Sequence, residues 1–211
     1  MGWGIAAQQA GVHPVSGRVY ALPMSVQGAP WLERAERPEE EEPDRALRIL
    51  KIQKGAVVAD VGTGSGYMAI KMAKIVGPQG KVYANDIQPA MLELLRKNVD
   101  KAKLTNVTPI QGAVDDPRLP AGALDLILMV DVYHEFSQPQ KMLQKMREAL
   151  KPTGRLVLLE YRAEDPNVPI LPEHKMTRDM VKLEVEHEGF TLATVNEDLP
   201  RQHLIIFTRP S

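Results

Sequence analysis

The chain has 211 residues, 44% apolar and 25% charged, an ordinary globular composition that argues against disorder throughout. Twenty-six Lys and Arg against 27 Asp and Glu leave a net charge of −1, too balanced for a general nucleic-acid footprint. Cysteine is absent, which excludes disulfides, thiolate nucleophiles, thiolate zinc sites and iron–sulfur clusters.

Residues 1–43 hold no clean period and carry Pro14, Pro23, Pro30, Pro38 and Pro43. They read as an N-terminal arm with short helices, and 44–211 as one domain behind it. The acidic run Glu39–Glu42 reads as a solvated face. Pro43-Asp44 followed by Ala46, Leu47, Ile49 and Leu50 predicts a lead-in helix. From Val57 onward strand and helix signals alternate. Val57–Val61 is a short apolar strand, and Ser65–Val76 has apolar residues at helical spacing, ended by Gly77-Pro78-Gln79-Gly80. Lys81–Asp86 is a second strand, Pro89 opens a second helix, and Val107–Gln111 is a third strand. Leu124–Val130 is almost continuously apolar, as a parallel strand buried on both faces must be. A helix over Pro139–Leu150, a break at Pro152-Thr153-Gly154 and a strand over Arg155–Tyr161 follow. A last helix covers Thr177–Glu188, and Phe190–Val195 and Leu204–Thr208 come with no helix between them. The order predicts an α/β fold, a mostly parallel sheet with helices on both faces and an antiparallel pair at its end.

No stretch approaches the roughly 20 apolar residues of a membrane span. The first dozen residues lack the basic start and long apolar core of a secretory signal. A cytoplasmic protein is expected, with a leader before residue 1 left open. Met24, Met68, Met72, Met91 and Met129 read as core. The histidines at 13, 134, 174, 187 and 203 show no metal-ligand spacing, and no required metal is expected.

The informative segment is Asp60-Val61-Gly62-Thr63-Gly64-Ser65-Gly66-Tyr67, between the first strand and the first helix after it. A glycine-rich turn there lets a ligand approach the backbone, and the helix start offers free N–H groups. Asp86 ends the next strand, where a carboxylate can accept from both hydroxyls of a ribose. A nicotinamide dinucleotide would use similar geometry, but aligned on Gly62 and Gly64 its third glycine falls on Tyr67. Tyr67 and Lys71 form a Tyr-x-x-x-Lys in the wrong helix for an oxidoreductase pair.

Read as D-x-G-x-G-x-G, the segment resembles the first motif of class I S-adenosylmethionine-dependent methyltransferases. Asn85-Asp86-Ile87, the loop Gln111–Asp116, the stretch Asp125–Phe136 and the turn Leu150–Leu156 match that family in order, and the resemblance runs from about Pro43 to Thr208. It implies a Rossmann-like seven-stranded sheet of order 3-2-1-4-5-7-6 and S-adenosylmethionine as cofactor. It implies that Gly62, Gly64 and Gly66, with Thr63 and Ser65 in the same turn, meet the methionine part of the cofactor. Asp60 would hold the turn, Asp86 and Ile87 the ribose side, Val114 or Asp115 the adenine, and Asp131 the methionine end. Asp60 and Asp131 could equally cap strand ends, and Asp115-Asp116-Pro117 could be a plain turn. The loop after the fourth strand lacks Asn-Pro-Pro-Tyr and Asp-Pro-Pro-Tyr, which lowers a DNA-methyltransferase reading.

Methyl transfer from a sulfonium needs alignment and, for a protonated acceptor, a base. His134 is the first candidate, and Glu160 the second. Arg162 could pair with Glu160. His13, Arg18, Tyr20 and Trp31 lie on the arm, and arms in this family often cover the substrate. Tyr20, Trp31, Tyr133 and Arg162 are therefore the candidate acceptor contacts. The expected activity is methyl transfer to a small-molecule acceptor. A non-catalytic cofactor-binding subunit and a nicotinamide oxidoreductase are the alternatives. Neither the acceptor nor the oligomeric state is written in these motifs.

Overall fold

A computed structural model describes residues 11–210. The arm carries a 3₁₀ turn at Val26–Gly28 and two short helices, α1 (Ala29–Leu32) and α2 (Arg37–Glu41). The lead-in helix α3 spans Pro43–Leu50, with Pro43 in its first turn. Then come β1 (Val57–Val61), α4 (Tyr67–Val76), β2 (Lys81–Asp86), α5 (Pro89–Lys101), β3 (Val107–Gln111) and β4 (Leu124–Val130). They are followed by α6 (Pro139–Ala149), β5 (Leu150–Tyr161), α7 (Arg178–His187), β6 (Thr191–Asn196) and β7 (Gln202–Thr208). The seven strands form one sheet of order β3-β2-β1-β4-β5-β7-β6. β7 runs antiparallel between β5 and β6, and the other neighbours pair in parallel. That is the expected fold, strand for strand. Among the described residues no helix is long and apolar enough to cross a membrane.

The apolar run of β4 is explained by its two neighbours. Leu126 and Leu128 enter the core under α3, α4 and α5. Ile127 and Met129 enter the core under α6 and α7. A strand with a helix layer on each face has no polar side to show, so its pattern is a run rather than an alternation.

Boundaries differ from the expectations where glycine or a bulge intervenes. α4 starts at Tyr67 rather than Ser65, because Gly66 sits at φ 90° just before it, a conformation that closes the turn. β5 starts at Leu150, not Arg155: Leu150 pairs with Leu124, the register shifts, and Arg155 resumes opposite Leu126. Pro152-Thr153-Gly154 bulges the strand rather than ending a helix. α7 begins after Thr177, whose hydroxyl accepts from the Met180 amide at 3.1 Å. β7 starts two residues early, at Gln202, because Gln202 and His203 are polar yet buried. Met68, Met72, Met91 and Met129 are core, as expected. Met24 is not core; it lines the cavity described next.

Candidate active site at the carboxyl ends of the strands

In an open α/β sheet the ligand crevice lies beyond the carboxyl ends of the strands, where the order reverses. Here the reversal is between β1 and β4, and a cavity of about 400 Å³ opens there. Its cofactor-side wall is built mostly from backbone. The amides of Gly62 and Thr63 both donate to the Asn85 carbonyl at 2.9 Å. That ties the tip of β1 to the tip of β2. Asp60 accepts from the Thr63 hydroxyl at 2.7 Å. Burial pushes its carboxyl up to about 6, with that hydrogen bond pulling the other way. Asp86 accepts from the Gly64 amide at 3.0 Å and the Gln88 amide at 2.9 Å. Burial raises its carboxyl and the two amides oppose the rise. Asn85 donates to the Pro117 carbonyl at 2.9 Å, which draws the loop after β3 to the rim.

Gly62, Gly64, Asp86, Ile87, Val114 and Asp131 all line the cavity. Asp60, Thr63, Ser65, Gly66 and Asp115 do not. The first four form the underside of the turn, and Asp115 faces Lys141 at 3.6 Å. Tyr67 and Lys71 also lie off the cavity. Lys71 pairs with Asp44 at 2.8 Å, so the Tyr-x-x-x-Lys has no part in the site.

Asp131 is the most unusual residue. It follows β4 at φ 50°, left-handed for a residue with a side chain. Its amide donates to the Leu159 carbonyl at 2.8 Å, and its Oδ2 accepts from Gln202 at 2.6 Å. Its Oδ1 is buried without a partner. Burial raises this carboxyl well above the usual range, and the charges of Glu41 and Glu160 add to the rise. Across from it stands Arg37, held by Glu41 at 2.8 Å and by the Leu32 carbonyl at 2.7 Å. Glu41 also accepts from the Tyr161 hydroxyl at 2.6 Å. Glu41 is thus a correction to the solvated acidic run: it is 1% exposed and anchors two arginines, Arg34 and Arg37.

These features fit S-adenosylmethionine. The orphaned Asp131 oxygen suits an ammonium, the bare backbone at Gly62 and Gly64 suits a close-packed chain, and Asp86 at the rim suits a diol.

The opposite wall is built from side chains. Phe136 and Met142 from below, Ile170 and Leu171 from the loop after β5, and Met24, Trp31 and Leu32 from the arm make it apolar. Its polar groups are His134, in the 3₁₀ turn Tyr133–Glu135, and beside it Glu135, Ser137 and His174. His134 is neither a surface histidine nor a helix cap; it is 1% exposed. Its Nδ1 lies 2.6 Å from Glu160 and its Nε2 3.1 Å from Nδ1 of His174. Glu160 accepts the Tyr133 amide with its other oxygen at 2.9 Å. A carboxylate only accepts, so the His134 proton sits on Nδ1 and, in the neutral ring, Nε2 keeps a lone pair facing His174 Nδ1. Burial works against a charged His134, but the Glu160 carboxylate outweighs it and holds the ring above the ordinary histidine range. His174 is pushed down, by burial and then by His134. Burial pushes Glu135 up to about 7.

Glu160 itself is fully buried and lies off the cavity, behind His134. It does not pair with Arg162. That guanidinium holds Glu197 at 2.9 Å and the carbonyls of Leu199 and Gln202, away from the cavity. Tyr20 and Tyr133 are buried against Arg18, with ring centroids 5.5 and 5.6 Å from its guanidinium, and do not line this cavity. Of the four candidate acceptor contacts, only Trp31 lines it. Arg18 grips Glu184 through two 3.0 Å hydrogen bonds and donates to the His134 carbonyl at 2.8 Å. His13 stands 3.3 Å from the same carboxylate. The arm is therefore fastened from behind to the turn that carries His134.

Sequence reasoning missed Arg37, Glu41 and His174. The acidic run hid Glu41, and the 40 residues between His134 and His174 concealed their contact. The histidines that showed no spacing along the chain are neighbours in space.

Fold and site together define a class I methyltransferase. A family model described as a methyltransferase domain matches residues 52–200, and the chain belongs to that family, whose cofactor is S-adenosylmethionine. The chain is similar to an S-adenosylmethionine-dependent methyltransferase of Aquifex aeolicus, with 28% identity, a TM-score of 0.84, and coverage of 89% of this chain and 100% of that one. It is 30% identical over 123 residues to a demethylmenaquinone methyltransferase of Listeria welshimeri, covering 58% of this chain and 51% of that protein. It is 32% identical over 121 residues to a ubiquinone/menaquinone biosynthesis C-methyltransferase of Francisella tularensis, covering 57% and 48%. The chain spans about half the length of these curated relatives.

Proposed function

We propose that this protein transfers a methyl group from S-adenosylmethionine to a small, apolar, ring-bearing acceptor carrying a polar group at the reacting end. The carrying observation is the division of the cavity. One wall offers backbone and carboxylates, and the other offers apolar side chains around a small polar cluster centred on His134, an imidazole positioned by Glu160. The cofactor supplies an electrophilic methyl on a sulfonium, and the chain's work is to bind and align. In this reading Gly62 and Gly64 meet the methionine part of the cofactor, and Asp86, Ile87 and Val114 hold the adenosine. Asp60, Thr63, Ser65 and Gly66 shape the turn, with Asp115 at its outer rim. Asp131 meets the ammonium, and Arg37 the carboxylate. His134 meets the acceptor's reacting atom, and Glu160 acts as a positioning residue that fixes the ring. The arm, with Trp31, covers the acceptor. The curated relatives' names point to quinone precursors, which are flat and apolar and so agree with Phe136, Met142 and Leu171.

The test is calorimetry with S-adenosylhomocysteine, followed by a transfer screen with labelled cofactor and apolar phenols and hydroquinones. Tight product binding and label in one ring acceptor are expected. Product binding with no labelled acceptor would instead favour a non-catalytic cofactor-binding subunit. A chain that binds no S-adenosylhomocysteine refutes the reading.

A further inference from the structure

We propose that His134, Glu135 and His174 form a site for a divalent transition-metal ion, with Zn²⁺ as the representative, at the acceptor wall of the cavity. The inference deepens the functional reading and rests on it only for naming that wall the acceptor's.

One ligand atom from each residue lies within 4.8 Å of the other two, and all three residues line the cavity. The two imidazoles already stand at ligand spacing. His134 Nε2 and His174 Nδ1 are 3.1 Å apart. Two nitrogens bound tetrahedrally to zinc at 2.0–2.1 Å would be about 3.3 Å apart. Glu135 completes the set from the residue next to His134, with a carboxylate oxygen within 4.8 Å of both ligand nitrogens.

The stronger argument lies behind the ring. A histidine ligand needs its other nitrogen protonated and held by an acceptor, which fixes the tautomer and makes the ligating nitrogen more basic. Glu160, 0% exposed, does this to His134 Nδ1 at 2.6 Å. The nearest guanidinium, Arg18, is engaged by Glu184 and by the His134 carbonyl, so it does not face the ligand atoms. Two histidines and a carboxylate select first-row transition ions over magnesium or calcium. Three protein ligands leave a position open, as in catalytic rather than structural zinc sites. Here that position faces the cavity, where it would take a donor atom of the acceptor and fix that end of the molecule.

The experiment uses untagged full-length protein, stripped with a chelator and dialysed. Zn²⁺ is titrated against a chromophoric competitor, and Co²⁺ is followed by its visible absorption. The expected result is one equivalent bound, with Co²⁺ bands of a four- or five-coordinate site. His174→Ala, at a half-buried position, should weaken binding at least about 100-fold, and Glu160→Gln about 10–100-fold. Glu135→Gln should also weaken it, which covers the case of a misfolded His174 variant. S-adenosylhomocysteine affinity should be unchanged in His174→Ala, separating this proposal from the cofactor reading. Wild-type binding weaker than about 10⁻⁴ M, or undiminished binding in both His174→Ala and Glu135→Gln, overturns it and leaves a hydrogen-bonded histidine pair.

Discussion

The two walls of the cavity are built by opposite means. The cofactor wall consists of strand ends and one tight turn. Its hydrogen bonds tie that turn to the tip of the neighbouring strand, backbone to backbone at Gly62 and Thr63 and backbone to carboxylate at Gly64. The acceptor wall consists of side chains delivered from far away. Arg18 meets Glu184 across 166 positions, and His134 meets His174 across 40. The first wall leaves no room for an added atom at Gly62, whereas the second depends on the arm and the loop after β5 staying docked. Damage to the first should appear in cofactor affinity and damage to the second in acceptor handling or stability.

The sharpest break is at Gly62. A Cβ there would lie 2.3 Å from Val132 Cγ2 and 2.8 Å from its Cβ, at φ +74°. Gly62→Ala should abolish measurable S-adenosylhomocysteine binding while circular dichroism shows the fold retained. Gly64 is less critical in space, since its Cβ would meet only the movable end of Leu32. If Gly62→Ala binds normally, the cofactor wall is not where the turn places it.

Behind the other wall, Arg18→Ala takes the guanidinium from the buried Glu184 carboxylate, which is 0% exposed, and leaves it only the Ser16 hydroxyl and His13. Removing one partner of such a pair costs about 3–5 kcal/mol, to be read from urea unfolding. Product affinity, extrapolated to fully folded protein, should hardly move. A loss below about 1 kcal/mol would mean the arm is not fastened through this pair.

Asp86→Ala removes charged hydrogen-bond capacity at the ribose rim. A loss of about 1.5–3 kcal/mol, or roughly 10–100-fold in Kd, is expected by calorimetry. Asp86→Asn should recover part of it, because the amide oxygen still accepts from Gly64 or Gln88.

The smallest effect concerns pH. The Asp60 carboxyl is raised from 3.8 to about 6, so the folded state holds its proton more tightly than the unfolded chain does. That contribution favours folding below about pH 4, fades through the window between the two values, and is lost above about 6. The ligand-free protein should therefore lose stability from this group as pH rises through that window, by at most about 3 kcal/mol. Asp60→Asn should flatten that part of the stability–pH curve. An unchanged slope would place the proton elsewhere, with Asp131 as the next group to test.

The contrast between the walls also explains what could be read from the sequence. The strands and the glycine turn were legible because their signals are local: a run of apolar residues, a glycine turn, an acidic residue at the next strand tip. The sheet order came with the family resemblance that those residues carry. Gln202 and His203 escaped as strand residues because their burial depends on partners such as Asp131 and Glu197. Glu41 looked like one of four solvated glutamates, and nothing in its neighbours announces the two arginines around it. Tyr20 and Tyr133 looked like acceptor contacts by position, but Arg18 holds both rings away from the cavity. His174 sits in a loop without period, and only the fold brings it to His134.

The sheet order has a further consequence, for aggregation. Its open edges are β3 and β6, and an exposed strand edge is a template for pairing with another chain. Pro109 lies in the middle of β3, opposite Ala84, and has no amide to offer an incoming strand. β6 breaks its register between Leu192 and Thr194, a bulge that twists its free edge out of line. Each edge thus carries a device that hinders sheet-to-sheet polymerisation. Pro109→Val, which restores the donor and favours extended backbone, should be the substitution that makes this otherwise balanced chain prone to fibrils.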